Sequence, residues 1–208
     1  HAYFQQFYDE VFFPTLENEG ITTVVDMGDT FDSRRGIDFW ALDWAKENYY
    51  NRLQEMGVTV HTIIGNHTAY YKNTNDINAI GLLLKEYENV ICYNKVTEVT
   101  LGNLKTLFIP WINQENEKET YETIEKTDGN PQDHHTIRRG RVATRNPGSY
   151  IYIWSPPPGD HGFGGSVPVC LKCVRVCACM CAVSLALPSP SPSVLGSSLH
   201  VLSCGPRR

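Results

Sequence analysis

Two glycine-containing strings, each directly after a short apolar run, constrain the fold of this chain most. Gly28 opens GDTFD after the run 22–25, and Gly65 opens GNH after the run 58–64. Between the runs, residues 37–56 carry apolar side chains at helical spacing. A strand, a long helical crossover and a second strand predict a parallel, right-handed β-helix-β unit.

The two strings contain residue types that suit a pair of divalent metal ions. The carboxyl ends of parallel strands open into one crevice, where their loops meet. Asp29 is the candidate carboxylate that bridges the two ions, and the Asn66 amide oxygen is a neutral hard ligand for one of them. His67 can stabilise charge or protonate a leaving oxygen, and Asp32 can fix an imidazole tautomer. We therefore predict Asp29 and Asn66 as metal ligands and His67 and Asp32 as catalytic residues.

The remaining apolar pattern predicts further elements of an α/β domain. A helix is expected near residues 4–16, and another is expected over 78–87. Short strands are expected at 90–93, 97–101 and 106–109, with a hairpin turn at Gly102 and Asn103. His61 lies within the second predicted strand, which favours a structural role.

These strings resemble the calcineurin-like metallophosphoesterase superfamily, whose pattern is D-x-H, then G-D-x-x-D, then G-N-H-D or G-N-H-E, then further histidines. The segments GDTFDSRR, HTII, GNHTAYYKN and FIPWI are similar to its SbcD-like nuclease branch, which includes recombination endonuclease subunits of large tailed phages. The resemblance covers residues 1–125.

The resemblance implies a partial metallophosphoesterase sandwich, with a parallel or mixed sheet and flanking helices. It implies two Mn²⁺ or Mg²⁺ ions, with water held between them as the nucleophile that hydrolyses DNA phosphodiesters. The expected role is a DNA exonuclease or endonuclease subunit of recombination and repair. The expected partner is an SbcC-like ATPase, and the expected location is the cytoplasm of a phage-infected bacterial host.

Three departures from the family pattern predict a fragment with little or no activity. The chain starts at His1 without the D-x-H block, and Thr68 stands where the superfamily usually has an acid. His134 and His135 lie where late histidines are expected but lack the Gly-His context. Each metal would then lose several ligands and bind weakly.

Composition predicts a boundary near residue 127. Residues 1–127 hold 20 of the 23 acidic and 10 of the 18 basic residues, whereas six of the seven cysteines lie beyond them. We expect a partial metallophosphoesterase domain over 1–127. Residues 128–208 read as a low-complexity, Gly/Pro/Arg/Cys-rich tail that is largely disordered or frame-shifted, because residues 169–181 are what a TG dinucleotide repeat would encode.

Other interpretations remain open at the level of sequence. The chain could act on a small phosphoester or a phosphoprotein, or be a noncatalytic protein whose cysteines at 170–181 bind zinc. Residues 167–187 are interrupted by Lys172 and Arg175, which argues against a membrane span.

Several single features have an ordinary structural interpretation beside the functional one. A G-D-x-x-D string alone is a common turn in which Asp29 or Asp32 caps a helix. Arg34 and Arg35 could contact DNA phosphate or be solvated loop residues. The aromatic pair Tyr70 and Tyr71, together with Lys72, could stack on or contact nucleic acid.

Overall fold

The computed structural model describes residues 2–31, 33–102, 104–128, 151–154, 184–188 and 200–202. Helices and strands alternate in its first part, as predicted. The helices are α1 (Ala2–Phe7), α2 (Phe13–Asn18), α3 (Phe39–Ala45), α4 (Asn51–Glu55), α5 (Ala79–Leu83) and α6 (Glu117–Asp128). The strands are β1 (Ile21–Asp26), β2 (Thr59–Ile63), β3 (Val90–Tyr93), β4 (Thr97–Leu101), β5 (Leu104–Ile109), β6 (Ile151–Trp154), β7 (Ser184–Pro188) and β8 (His200–Leu202).

Two π-helical turns join neighbouring helices into longer helical segments. Tyr8–Phe12 links α1 to α2, and Lys46–Tyr50 links α3 to α4. Pro14 does not end the first segment: it lies in the first turn of α2, directly after the π-helical turn, and the segment continues to Asn18.

The first sheet has the strand order β3-β2-β1-β7-β8, and its strands β1, β2 and β3 run parallel. The predicted parallel pairing of the first two strands is confirmed. Asp26 pairs with Thr62 at the end of β1, and Ile63 pairs with Tyr93 at the end of β2. The loops after β1 and β2 therefore leave the sheet at the same edge.

Helices cover one face of this sheet. Val24 of β1 and Val60 of β2 are cross-strand partners and are fully buried. They belong to one hydrophobic cluster with Phe12, Tyr50 and Leu53 of the two helical segments. Burial of this apolar surface is the main favourable contribution to folding of the first part of the chain.

A stack of three rings joins the other face of the sheet to a second sheet, which has the order β4-β5-β6. The rings of His61, Tyr93 and Phe108 are nearly parallel, and the Tyr93 and Phe108 centroids are 4.3 Å apart. His61 Nδ1 lies 2.7 Å from the Tyr93 hydroxyl oxygen. Burial lowers the pKa of His61, which favours the neutral imidazole, and its place in the ring stack agrees with the predicted structural role.

The second sheet in turn packs against α6, which the sequence pattern did not predict. Leu107 and Ile109 alternate with Phe108 along β5 and therefore point to its opposite face. There they pack with Ile124 of α6 in a second hydrophobic cluster. The described residues thus form four layers: helices, the first sheet, the second sheet and α6.

One local expectation was wrong. The helix predicted over 78–87 ends at Leu83, because Leu84 leaves helical geometry and becomes buried while Leu82 stays 61% exposed. Three consecutive leucines cannot all face the core from one helix. Phe39 and Trp40 match the helical spacing but are exposed, since they lie in the first turn of α3, which begins at the Asp38 N-cap.

Beyond residue 128 the structure describes three short strands. β6 pairs in parallel with β5, and β7 pairs antiparallel with β1 and with β8. The candidate ligands His134 and His135 and the cysteines at 170–181 lie outside the described residues. The division of the chain at residue 127 stays a prediction.

Among the described residues, no helix is long and apolar enough to cross a bilayer. The longest described α-helix, α6, has 12 residues.

Phe108→Ala is expected to lower the free energy of unfolding by about 3–5 kcal/mol, because it removes the ring that joins the two sheets and leaves a cavity. Phe39→Ala is the matched control: Phe39 is 88% exposed, so the same truncation should change stability by less than about 0.5 kcal/mol. Urea denaturation followed by circular dichroism measures both. Equal losses would contradict the assignment of Phe108 to the core.

Candidate functional site

The loops after β1 and β2 meet at the carboxyl edge of the first sheet. Gly28 has φ +85°, and a Cβ there would lie 2.9 Å from both the Gly65 nitrogen and the Ile63 carbonyl oxygen. Only glycine fits this close approach of one loop to the other. We call residues 28–30 and 65–68 the loop junction.

Asp29 is held in an unusual backbone conformation. Its φ is +57°, and it is the one non-glycine residue with positive φ among the described residues. Aspartate tolerates the left-handed region better than most residues, but the conformation still costs about 1 kcal/mol or more. Such strain persists where the surroundings enforce it, which is common at functional sites.

The Asp29 carboxylate accepts a hydrogen bond from the second loop. The backbone N–H of His67 donates to Asp29 Oδ1 over 2.7 Å. Gly65 leaves room for this contact, since a Cβ there would lie 2.1 Å from Asp29 Oδ1. The two predicted strings are therefore joined through a charged hydrogen bond, which is stronger than a neutral one.

Thr68 shapes the second loop from within. Its Oγ1 accepts the Gly65 N–H at 2.9 Å and donates to the Gly65 carbonyl oxygen at 3.1 Å. It is 1% exposed. Thr68, which stands where the resembled pattern usually has an acid, thus closes the turn that contains Asn66 and His67.

The structure places three of the four predicted site residues together. Asp29 and His67 are in direct contact, and Asn66 lies between Gly65 and His67, which both approach Asp29. Asn66 is 7% exposed and His67 is half-buried. Asp32 lies outside the described residues. The roles of all four stay predictions.

The chemistry of these side chains fits part of a metal site. The loop junction contains a carboxylate residue, an amide residue and an imidazole residue, and hard divalent cations prefer carboxylate and amide oxygens as ligands. Within the described ranges, no group of three or more His, Cys, Asp and Glu side chains is placed to hold a metal ion. The two-ion site and its ligands therefore stay a prediction.

Asp26 supports the loop junction from below, and the sequence analysis did not assign it a role. Its Oδ1 accepts the Gly28 N–H at 2.9 Å, and its Oδ2 accepts the Thr30 hydroxyl at 2.8 Å. Asp26 is completely buried, and this burial raises its pKa to about 6 against the lowering effect of the two hydrogen bonds. A carboxylate at the end of an apolar strand was the available sequence signal.

Arg34 connects the loop junction to the next segment of chain. Its Nη1 donates to the carbonyl oxygens of Ala69 and Tyr71, each at 3.4 Å, and its guanidinium lies 4.5 Å from the ring centroid of Trp111. Burial lowers the pKa of Arg34, while the nearby Asp29 carboxylate acts in the opposite direction. Arg34 is thus engaged with protein groups, whereas Arg35 is exposed.

Trp111 is itself anchored to the second strand. Its backbone N–H donates to the Ile64 carbonyl oxygen at 2.7 Å, and its own carbonyl oxygen accepts from Asn75 Nδ2 at 2.9 Å. The string FIPWI, which the sequence analysis used only as a mark of resemblance, therefore forms one side of the candidate site.

Comparison with known proteins gives one informative relationship. The chain is 40% identical over 108 residues to "Exonuclease subunit 1" of Enterobacteria phage T4. The match covers 52% of this chain and 32% of that protein, so the chain spans about a third of the length of the curated relative it matches. No protein-family model matches the chain. This similarity supports a nuclease-related chain, and the superfamily assignment stays a prediction.

Gly65→Ala is expected to disrupt the loop junction, because the new methyl group would overlap Asp29 Oδ1 and the Asp29 backbone nitrogen. The free energy of unfolding should fall by about 1–3 kcal/mol. Gly36→Ala is the matched control, since a Cβ at Gly36 meets nothing within 4 Å. Denaturant titration of both variants tests the close approach, and equal effects would contradict it.

Asp26→Asn is expected to stabilise the protein at neutral pH and not at low pH. The folded-state pKa of Asp26 is about 6, above its ordinary 3.8, so its stabilising contribution is complete below pH 3.8 and is lost as the pH rises through about 6. The shift of about two units corresponds to about 3 kcal/mol. Asparagine avoids this loss because Thr30 Oγ1 can accept its N–H.

Denaturant titration across this pH window measures the effect. The unfolding free energies of wild type and Asp26→Asn should agree below about pH 4, diverge between about pH 4 and pH 6 in favour of the variant, and differ by a constant amount above about pH 6. A constant difference at every pH would show that Asp26 does not titrate with a raised pKa.

Proposed function

We propose that this chain belongs to a metal-dependent phosphodiester hydrolase that acts on DNA, most closely an exonuclease or endonuclease subunit of the SbcD-like type. The observation that carries the proposal is the loop junction, where the Asp29 backbone has a positive φ and its carboxylate accepts the His67 N–H. The similarity to a phage protein described as an exonuclease subunit supports DNA as the substrate.

The proposed roles follow from the chemistry of each residue type and from the resemblance of the two strings to the metallophosphoesterase pattern. Asp29 and Asn66 would hold two Mn²⁺ or Mg²⁺ ions, which when bound activate water and stabilise charge on the phosphate. The His67 N–H holds the Asp29 carboxylate toward the shared edge. The His67 imidazole would stabilise or protonate the leaving oxygen, and Asp32 would orient an imidazole by accepting its N–H.

A multi-subunit assembly is part of the proposal. The phage relative is described as subunit 1 of its exonuclease. We propose that this chain likewise acts with a second protein, an SbcC-like ATPase. Because each ion needs more ligands than the described residues supply, we expect weak metal binding and slow cleavage by this chain alone.

Metal binding tests the proposed ligands directly. Asp29→Asn and Asn66→Ala should each weaken Mn²⁺ binding by about tenfold or more, since each removes or weakens an oxygen ligand. Asp43→Asn and Asn73→Ala are matched controls at exposed positions and should bind Mn²⁺ as the wild type does. Titration followed by electron paramagnetic resonance measures the bound fraction. Unchanged binding in both site variants would reject the assignment.

Cleavage assays on the same variants then test the reaction. The full chain with Mn²⁺ should cleave DNA, and Asp29→Asn and His67→Asn should lower that rate by about 10²-fold or more. Cleavage of a small phosphodiester without cleavage of DNA would favour the alternative small-molecule phosphoesterase. Cleavage that persists in EDTA would exclude a metal-dependent reaction.

A further inference from the structure

Two exposed tyrosines follow His67 by three and four residues. Tyr70 is 40% exposed and Tyr71 is 48% exposed, and their rings meet edge to face with centroids 4.8 Å apart. Three residues of chain span at most about 10 Å, so this pair lies beside the loop junction. We call Tyr70 and Tyr71 the tyrosine platform.

The backbone that carries the tyrosine platform is held firmly. Tyr70 N–H donates to the Ile77 carbonyl oxygen at 2.9 Å, and Ala69 forms a β-bridge with Asn78. Asn78 Nδ2 donates to the Asn75 carbonyl oxygen at 2.9 Å. A rigid exposed aromatic pair loses little conformational entropy when a ligand binds, which favours a binding role over an accidental exposure.

Arg34 fixes the position of this segment relative to the site. It donates to the Tyr71 carbonyl oxygen from one side and packs over Trp111 on the other. The platform is thus tied to the loop that contains Asp29 rather than to a remote part of the surface.

Two exposed cations lie next in sequence to the platform and to Arg34, which contacts it, although the first part of the chain is acidic. Lys72 follows Tyr71 directly and is exposed, and Arg35 follows Arg34 and is also exposed. Residues 1–127 as a whole hold 20 acidic and 10 basic side chains. Exposed cations beside exposed rings complement a ligand that has both flat bases and phosphates.

We propose that the tyrosine platform, with Lys72 and Arg35, binds single-stranded DNA next to the loop junction. Bases stack on the exposed Tyr70 and Tyr71 rings, and the adjoining phosphates contact Lys72 and Arg35. This inference rests on the proposed function in one respect, that a DNA strand is the substrate. It adds a sequence-tolerant contact that positions the strand for the site.

Binding without cleavage tests the proposal. Fluorescence anisotropy in EDTA measures the affinity of the full chain for a labelled oligothymidylate longer than the roughly 4–16 nucleotides that such surfaces cover. The double variant Tyr70→Ala/Tyr71→Ala should bind at least about tenfold more weakly, because stacking is lost. Tyr70→Phe and Tyr71→Phe keep the rings and should stay within about twofold of wild type.

The charge contribution has its own matched pair. Lys72→Gln should reduce the slope of log affinity against log salt by about 0.7, as loss of one phosphate contact does for a single strand. Lys85→Gln, at an exposed position after α5, should leave the slope unchanged.

The outcomes separate this inference from the proposed function. Unchanged Mn²⁺ binding in the double alanine variant, together with weaker DNA binding, supports the platform. Equal DNA affinity in the double variant, or no binding of single-stranded DNA by the wild type, overturns it while leaving the metal assignment standing. If the double alanine variant binds DNA as the wild type does but no longer binds a protein partner, the platform is a protein interface instead. Thermal melting confirms that each variant folds.

Discussion

The hydrogen bond from the His67 backbone N–H to Asp29 Oδ1 is the contact on which the candidate site depends. It joins loops from two adjacent parallel strands, and it requires a left-handed backbone at Asp29 and the absence of a Cβ at Gly28 and Gly65. Because the acceptor is a carboxylate, the bond is worth about 1.5–3 kcal/mol, enough to offset the strain at Asp29. The direction of the Asp29 side chain therefore follows from the packing of two loops.

The layers beneath the loop junction supply the rigidity that this contact needs. Helices bury one face of the first sheet, and the His61, Tyr93 and Phe108 stack attaches the second sheet to the other face. Asp26 lowers the stability of the folded protein but supports the site. A completely buried carboxylate is unfavourable, yet its two oxygens hold the Gly28 N–H and the Thr30 hydroxyl on either side of Asp29. Holding the turn in this geometry therefore lowers the free energy of unfolding at neutral pH.

The same framework links the candidate chemistry to the proposed strand-binding surface. Trp111 is bonded to the end of the second strand through Ile64, and Arg34 lies between Trp111 and the segment that carries Tyr71. A nuclease must bind the phosphate that it cleaves and also hold the neighbouring strand, because binding contacts outside the reacting group position the substrate. In the proposed function, the loop junction would bind the phosphate and the tyrosine platform would hold the neighbouring strand.

Sequence patterns were sufficient for features that depend on local periodicity. The strands at 90–93 and 97–101 were predicted with their observed bounds, and the parallel pairing of β1 and β2 followed from the length of the crossover between them. The proximity of Asp29 and His67 was predicted because the carboxyl ends of parallel strands lie at the same end of the sheet. Periodicity failed at Leu84, because it cannot tell where a helix stops.

The residue types and the α/β alternation of this chain were thus determined by its sequence alone, with glycines at the turns and a carboxylate, an amide and an imidazole after the strands. Tertiary structure decided how those groups are used. It placed the His67 N–H on Asp29, buried Asp26 beneath the turn and set Arg34 over Trp111. These contacts join residues that are far apart in the chain, and their energies depend on burial and distance, which no local pattern contains.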